Sequence, residues 1–419
     1  MSKRTKRVIL SFILLSAALA LSACSAEDLL SEVPFTVQLE PEIISEWTQT
    51  GSAETETGDM ALSSEPESQC FFQAENSSAY AYDRLSAEEQ LWYRDIELAL
   101  GNMQEKVKLS EEGLEAGLDE NCIDTVFQCV LMDHPEFFYV EGYNYTKYTR
   151  GDNTVSLSFS GKYELTPKEA AARKEEIEQA AGVVLAGIDA QASEYDKVKY
   201  VYETIIKNTD YKLNAPDNQN IYSVFVGRQS VCQGYAKAAQ YLLNRLGVEC
   251  TLVQGIVETG EGHAWNLVKV DGSYYYVDVT WGDASYLNAD GQDYSAGYTP
   301  EINYDYLCIT TEQLLRTHTP EEIVQLPECT GTAANYYVRE DALFYSYDRE
   351  KMSRLFQTAQ ESGRADVTVK CADSSCFAQM QEALIENQEI FDYLPDSGGT
   401  ITYACNDKQL SLTFWMTNQ

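Results

Sequence analysis

Three histidines in 419 residues are too few for a histidine-rich metal centre. Positive charge is scarce as well: 30 Lys and Arg stand against 66 Asp and Glu, a formal net charge of −36. No basic surface offsets this acidity, a polyanion would be repelled, and no nucleic-acid partner is expected. No internal repeat is present. The most concentrated apolar run, Val8 to Leu21, has 14 residues and is too short to span a bilayer comfortably. What is there is a 44% apolar and 11% aromatic composition with 29 Tyr. That suffices for a packed core and two or three domains, and it excludes a wholly disordered or collagen-like chain.

Lys3, Arg4, Lys6 and Arg7 precede the apolar run, which ends Leu21-Ser22-Ala23-Cys24. A basic segment followed by a short apolar stretch has the make-up of a signal peptide. Small residues before a Cys at this point resemble the lipobox of bacterial lipoproteins. That resemblance implies cleavage after residue 23, a diacylglyceryl group on Cys24, and a membrane partner held through the N-terminal lipid. The protein is then exported and anchored to the outer face of the bacterial cell membrane. Residues 1–23 carry four bases and no acid, so the mature chain keeps 26 bases against 66 acids, a net of −40.

Residues 24–84 are rich in Ser, Glu, Thr and Gly and lack apolar periodicity, the composition of an acidic disordered tether. Order is expected from near Leu85, where Ser86-Ala-Glu-Glu89 forms a capping box ahead of Leu91, Trp92, Ile96 and Leu100 at helical spacing. A helix over Cys122 to Met132, a hairpin of Phe137–Tyr148 and Thr154–Tyr163 around Gly151-Asp152, and a helix from Thr166 to about Ile188 make an N-terminal α+β region, 85–192. A central domain, 193–330, holds helices over about 194–208 and 231–246, with Gly247 as the stop, and strands over 249–257, 263–270 and 273–279. Asp271-Gly272 joins the last two strands. The pattern of residues 331–419 gives a small C-terminal α+β module, with strands near Tyr336, Leu343, Val367, Ile401 and Leu410 and helices from Arg349 and Cys376.

Cys232 opens a predicted helix in Ser230-Val-Cys-Gln-Gly-Tyr-Ala-Lys-Ala238. A thiol there meets unpaired N–H groups and the positive end of the helix dipole, and both favour the nucleophilic thiolate. Gly234 leaves room for a substrate or a facing strand. His263 opens a strand in His263-Ala-Trp-Asn-Leu-Val-Lys-Val270, and Asp278 lies among strand residues, where an unpartnered carboxylate is costly. The two-residue turn sets His263 opposite Thr280, two residues past Asp278, so the imidazole and the carboxylate share a face of adjacent antiparallel strands. Asp278 is then placed to hold His263, and His263 to deprotonate Cys232.

Cys, His and Asp in this order, with the Cys opening a helix and the other two on neighbouring strands, resemble the transglutaminase-like superfamily. Val231-Cys-Gln-Gly-Tyr-Ala236, His263-Ala-Trp-Asn266 and Asp278-Val-Thr-Trp281 resemble the three motifs of its bacterial members. The resemblance covers roughly residues 195–330. More loosely, Asp133-His-Pro-Glu-Phe-Phe-Tyr139 and Tyr304-Asp-Tyr306 resemble features that flank this domain in exported Gram-positive proteins. The resemblance implies an α+β fold with a papain-like core, in which the helix carrying Cys packs on an antiparallel sheet carrying His and Asp. It also implies catalysis by Cys232, His263 and Asp278 without a cofactor: Cys232 forms a thioester from an amide, and an amine or water accepts the acyl group. The second oxyanion donor is left open among Gln229, Tyr222 and Gln233. The substrate class is peptide, protein or peptidoglycan. The rival reading is a non-catalytic module that keeps the fold and binds a wall polymer or an exported protein. The presence of all three triad residues weighs against it.

The remaining signals are bland. His134 is isolated, and His318 follows Arg316-Thr317 where a helix-end cap is expected. Cys122 and Cys129 sit some 10 Å apart along one predicted helix, too far for a disulfide. Cys371 and Cys376 are close enough in sequence to pair across a strand-to-helix turn. Setting aside Cys24 and Cys232 leaves nine of the 11 Cys, an odd number that argues against a disulfide scaffold. Asn288-Ala-Asp-Gly291 lacks the Asp and Glu of a calcium loop at Tyr286 and Gly297, so no metal is expected. A monomer is expected.

Overall fold

The computed structural model describes residues 53–54, 78–150, 153–283, 301–394 and 401–416. The signal segment, Cys24, most of the tether, the Gly151-Asp152 turn and Asn288–Gly291 lie outside the described residues. The described residues form two compact units, one up to residue 340 and the other from Asp341 onward.

The larger unit opens with helices α1 (Ala87–Gly101) and α2 (Cys122–Asp133) and the long hairpin β1 (Val140–Arg150) and β2 (Asn153–Tyr163). Two-residue strands at Ala53–Glu54 and Val107–Lys108 flank the hairpin, giving a four-stranded sheet. Helices α3 (Pro167–Leu185), α4 (Glu194–Asn208) and α5 (Cys232–Arg245) follow. Then come strands β3 (Cys250–Val257), β4 (Gly262–Val270), β5 (Ser273–Val277) and, much later, β6 (His318–Pro320). These four strands form one antiparallel sheet in the order β6-β3-β4-β5. The fold is therefore mixed helix and antiparallel sheet, with the Cys-bearing helix against the sheet that carries His263.

Local chemistry explains the elements. Ser86 and Glu89 form the expected capping box, and Thr166 and Glu169 form another ahead of α3, with Pro167 in its first turn. Asp271 and Gly272 both have positive φ, at 49° and 80°, as a type I′ hairpin turn requires. That turn pairs Asn266 with Val277 through to Val270 with Ser273. The α5 helix runs buried from Cys232 to Asn244. Asn266 on β4 donates from Nδ2 to the Ala236 carbonyl at 2.9 Å, locking sheet to helix.

Three local expectations change. Packed residues already precede Leu85: Tyr80 and Ala81 are buried, and the buried Asp133 carboxylate accepts the backbone N–H groups of Ala81 and Tyr82, each at 3.0 Å. Phe137 to Tyr139 form a tight turn ahead of β1, not strand, with the Phe137 N–H on the His134 carbonyl. Tyr336 begins a short helix, Tyr336–Arg339, because Asn335 caps it by accepting the Tyr337 N–H at 3.1 Å.

The smaller unit holds β7 (Leu343–Phe344), α6 (Arg349–Glu361), β8 (Asp366–Cys371), α7 (Ser374–Gln381), β9 (Thr402–Asn406) and β10 (Ser411–Trp415). Its sheet order is β7-β8-β10-β9, with β7 parallel to β8 and the other pairs antiparallel. Phe344, Met352, Phe356, Val369, Leu412 and Phe414 centre its core. Cys371 and Cys376 both lie in that core as free thiols.

Candidate active site

The first turn of α5 lacks the side-chain cap that α1, α3 and α4 carry. Ser86, Thr166 and Ser193 cap their helices with side-chain oxygens, whereas the N-cap of α5 is Val231, which offers none. The leading N–H groups of α5 are therefore not consumed by a side-chain cap. A buried serine pair fixes the approach. Ser223 Oγ and Ser230 Oγ are 2.6 Å apart, and Ser230 donates to the Asn218 carbonyl at 2.8 Å. Gly234 makes this possible, since a Cβ there would fall 2.0 Å from Ser230 Oγ and 2.9 Å from the Asn218 oxygen. The room left by Gly234 is thus taken by the 218–230 loop, not by a substrate or a strand.

Cys232, His263 and Asp278 are brought together, all buried at 7%, 7% and 1% exposure. His263 Nε2 lies 2.8 Å from Asp278 Oδ2, and the buried Cys232 sulfur acts electrostatically on the same imidazole. With Nε2 on the carboxylate, Nδ1 is the nitrogen left for the thiol. Asp278 sits one residue past the end of β5, and its N–H continues the sheet edge by donating to the Tyr306 carbonyl at 3.0 Å. This gives Tyr304-Asp-Tyr306 a structural job: its backbone pins the Asp278 end of the strand.

The Asp278 carboxylate is saturated. Oδ1 accepts the N–H groups of Thr280 at 2.9 Å and Trp281 at 3.1 Å. Oδ2 takes His263 and also His318 Nε2, at 3.1 Å. Burial pushes the carboxyl pKa up, but His263, with its charge and hydrogen bond, and then His318 outweigh it and hold the group well below the usual carboxylate range. Burial works against protonation of His263. The Asp278 charge and the Cys232 sulfur prevail and hold its pKa well above the ordinary imidazole value. The arrangement is that of an imidazolium between a carboxylate and a sulfur.

His318 is a neighbour of Asp278 that sequence reasoning placed elsewhere. It is no helix cap: it opens β6, opposite Val257, and its ring is enclosed by Trp265, Trp281 and Tyr306 at centroid distances of 4.9, 4.6 and 5.7 Å. Among the oxyanion candidates, Tyr222 donates its hydroxyl to Glu176 at 2.6 Å and is occupied there. Gln229 accepts from Lys212 through Oε1, which leaves its amide nitrogen to donate, and Gln233 is buried in the first turn of α5.

His263, Asp278 and His318 have ligand atoms within 4.8 Å of one another. Contacts of 2.8 and 3.1 Å are hydrogen-bond lengths. A zinc ion held at about 2.0–2.1 Å from each ligand would spread them wider. The trio is read as a proton network. The Asp133–Tyr139 motif lies apart from it and is structural. His134 is clamped between Glu97 at 3.1 Å and Glu136 at 3.0 Å, while Asp133 also accepts from the Tyr93 hydroxyl.

Part of the chain resembles known proteins. Residues 184–279 match the profile of the Transglutaminase-like superfamily. Kyphoscoliosis peptidase of Mus musculus is 26% identical over 106 residues, which cover 22% of this chain and 16% of that protein. Among solved structures, the crystal structure of a TGase is similar to this chain at 16% identity and a TM-score of 0.25, covering 38% of this chain and 50% of that one. So is a putative cysteine protease from Cytophaga hutchinsonii, at 15% identity and a TM-score of 0.22, covering 30% and 52%. The chain thus spans about half the length of those solved chains and about a sixth of the mouse protein. Residues 184–279 are a domain of the transglutaminase-like superfamily.

Proposed function

We propose that this protein is an exported, lipid-anchored thiol enzyme that cleaves or exchanges amide bonds in peptides, proteins or peptidoglycan through a thioester on Cys232. The observation that carries the reading is the 2.8 Å contact of His263 with Asp278, together with the action of the Cys232 sulfur on the same buried imidazole. The Cys232 sulfur attacks the amide carbonyl carbon as thiolate. The oxyanion is met by the Cys232 N–H at the uncapped start of α5 together with an amide from Gln229 or Gln233. The tetrahedral species collapses as His263 gives its Nδ1 proton to the departing amine, leaving a thioester. Water or an amine then loses a proton to His263 and attacks the thioester carbonyl. Cys232 leaves as thiolate and the resting ion pair returns. Asp278 keeps the imidazole in the tautomer and orientation both halves need. The chemical outcome is set by the acceptor: water gives hydrolysis and an amine gives transamidation.

Lys3 to Arg7, the apolar run and Cys24 support the anchor. A Cys24→Ala variant is expected to lose its lipid and leave the membrane fraction.

The test of the chemistry is intact-mass analysis of the soluble portion incubated with amide-containing peptides and with wall fragments, with and without a primary amine. A transient acyl adduct on Cys232, absent in Cys232→Ala, is expected, with an acid product in water and an amide product with amine. Wild type and Cys232→Ala giving the same products, with no adduct, would refute it.

A further inference from the structure

We infer that His318 is a positioning residue of this site: it fixes the Asp278 carboxylate so that Oδ2 stays on His263. The inference rests on the triad reading above and extends it to a residue outside the 184–279 family match. Asp278 has about four lone-pair positions to satisfy. Two backbone N–H groups take Oδ1, and two imidazoles take Oδ2. Remove His318 and Oδ2 keeps one partner inside a wall of Trp265, Trp281 and Tyr306, where water does not replace the lost donor. The carboxylate then has reason to turn.

The fold goes to some length to deliver this ring. β6 arrives from 40 residues beyond Asp278 and pairs with β3 only over Val257, Ile256 and Gly255. Gly255 is what lets it come so close: a Cβ there would stand 2.2 Å from the Thr319 oxygen and 2.8 Å from the Trp265 ring. Thr317 then sets the tautomer. Its Oγ1 lies 2.8 Å from His318 Nδ1. A hydroxyl proton given to Nδ1 leaves the ring hydrogen on Nε2, the atom facing Asp278. Burial lowers the His318 pKa, so the ring is a neutral donor, in contrast to His263. The titratable groups facing Asp278 are these two histidines, Tyr202 from α4, Tyr306, and Cys232 behind His263.

The test uses the fact that the chain has three histidines, so each imidazole is followed singly by nitrogen NMR. In His318→Phe, which keeps a ring and loses the donor, the His263 titration midpoint is expected to fall. The pH profile of Cys232 alkylation by iodoacetamide is expected to move about one unit alkaline, roughly tenfold slower at neutral pH. His318→Gln, whose amide still donates, restores most of both. Thr317→Val, which removes only the tautomer lock, moves both in the same direction by less and serves where His318→Phe fails to fold. A folded His318→Phe or Thr317→Val protein with an unchanged His263 titration overturns the inference. So does a Gln variant as impaired as the Phe variant. The two readings fail separately. Slow, ordinary alkylation of Cys232 in wild type sinks the thiol enzyme, while the His263 titration still decides the role of His318.

Discussion

His134 and His263 lie in the same unit, are both fully buried, and are both held charged by carboxylates, yet only one has a nucleophile beside it. His134 spends both ring nitrogens on acids, Nε2 on Glu97 and Nδ1 on Glu136, and stacks on Phe137 at 4.7 Å. His263 spends one on Asp278 and turns the other to the Cys232 thiol. Each pKa is raised, in His134 chiefly by the charge and hydrogen bond of Glu136, opposed by burial. A raised imidazole pKa therefore does not mark a catalytic group. The destination of the second nitrogen separates a clamp from the proton shuttle proposed for His263.

The sharpest way to break this contrast is to delete the clamp. His134→Ala leaves two acids facing each other without their cation, and a loss of about 3–5 kcal/mol in chemical unfolding is expected. Cys232 alkylation in the protein that remains folded should be unchanged. A matching loss of Cys232 reactivity would erase the distinction. Gly255→Ala works from the other side. Its methyl group forces β6 away, with an expected cost of about 1–3 kcal/mol from overpacking and slower alkylation, because His318 leaves Asp278. Unchanged alkylation kinetics would show that β6 does not support the site.

The pH dependence of stability follows from the same comparison. The His134 pKa stands at about 10 in the folded protein, against an ordinary value near 6.5. A folded-state pKa that is raised means that its stabilisation is fully present below about 6.5 and is lost as pH climbs toward 10. Within that window the unfolding free energy should fall by about 1.4 kcal/mol per pH unit for this group, and His134→Gln should remove that share of the slope. An unchanged slope would contradict the clamp. The smallest effect is expected at Asp133→Asn, which weakens the hold on Ala81 and Tyr82 by about 1 kcal/mol. Limited proteolysis near residue 80 should speed up, with the triad unaffected.

Much of this was legible in the sequence, and the limits were physical. Ser86, Thr166 and the Asp271-Gly272 turn announce their structures locally, within three or four residues, so the helices and the β4–β5 register could be read directly. The placement of the three candidate residues followed, because Cys232 needs only a helix start and His263 and Asp278 only a hairpin register. His318 and His134 could not be read this way. One depends on a three-residue edge strand, too short for any alternation, and the other on Glu97 from a different helix. Glu136 and Thr317 are sequence neighbours, but Glu97 and Asp278 are brought in by packing between distant elements, and nothing in the neighbouring residues encodes that. The strand expected at Tyr336 failed for a related reason: Asn335 caps a helical turn there, and one cap outweighed two aromatic residues of high strand propensity.

The central claim is that His263, held by Asp278, activates Cys232. The most direct measurement is the rate at which iodoacetamide labels each cysteine at neutral pH, read by peptide mass spectrometry, in wild type, His263→Ala and His134→Gln. Cys232 should label first in wild type despite its burial. His263→Ala should slow it on the order of tenfold or more, and His134→Gln should leave it alone. Equal Cys232 labelling in wild type and His263→Ala would contradict the account.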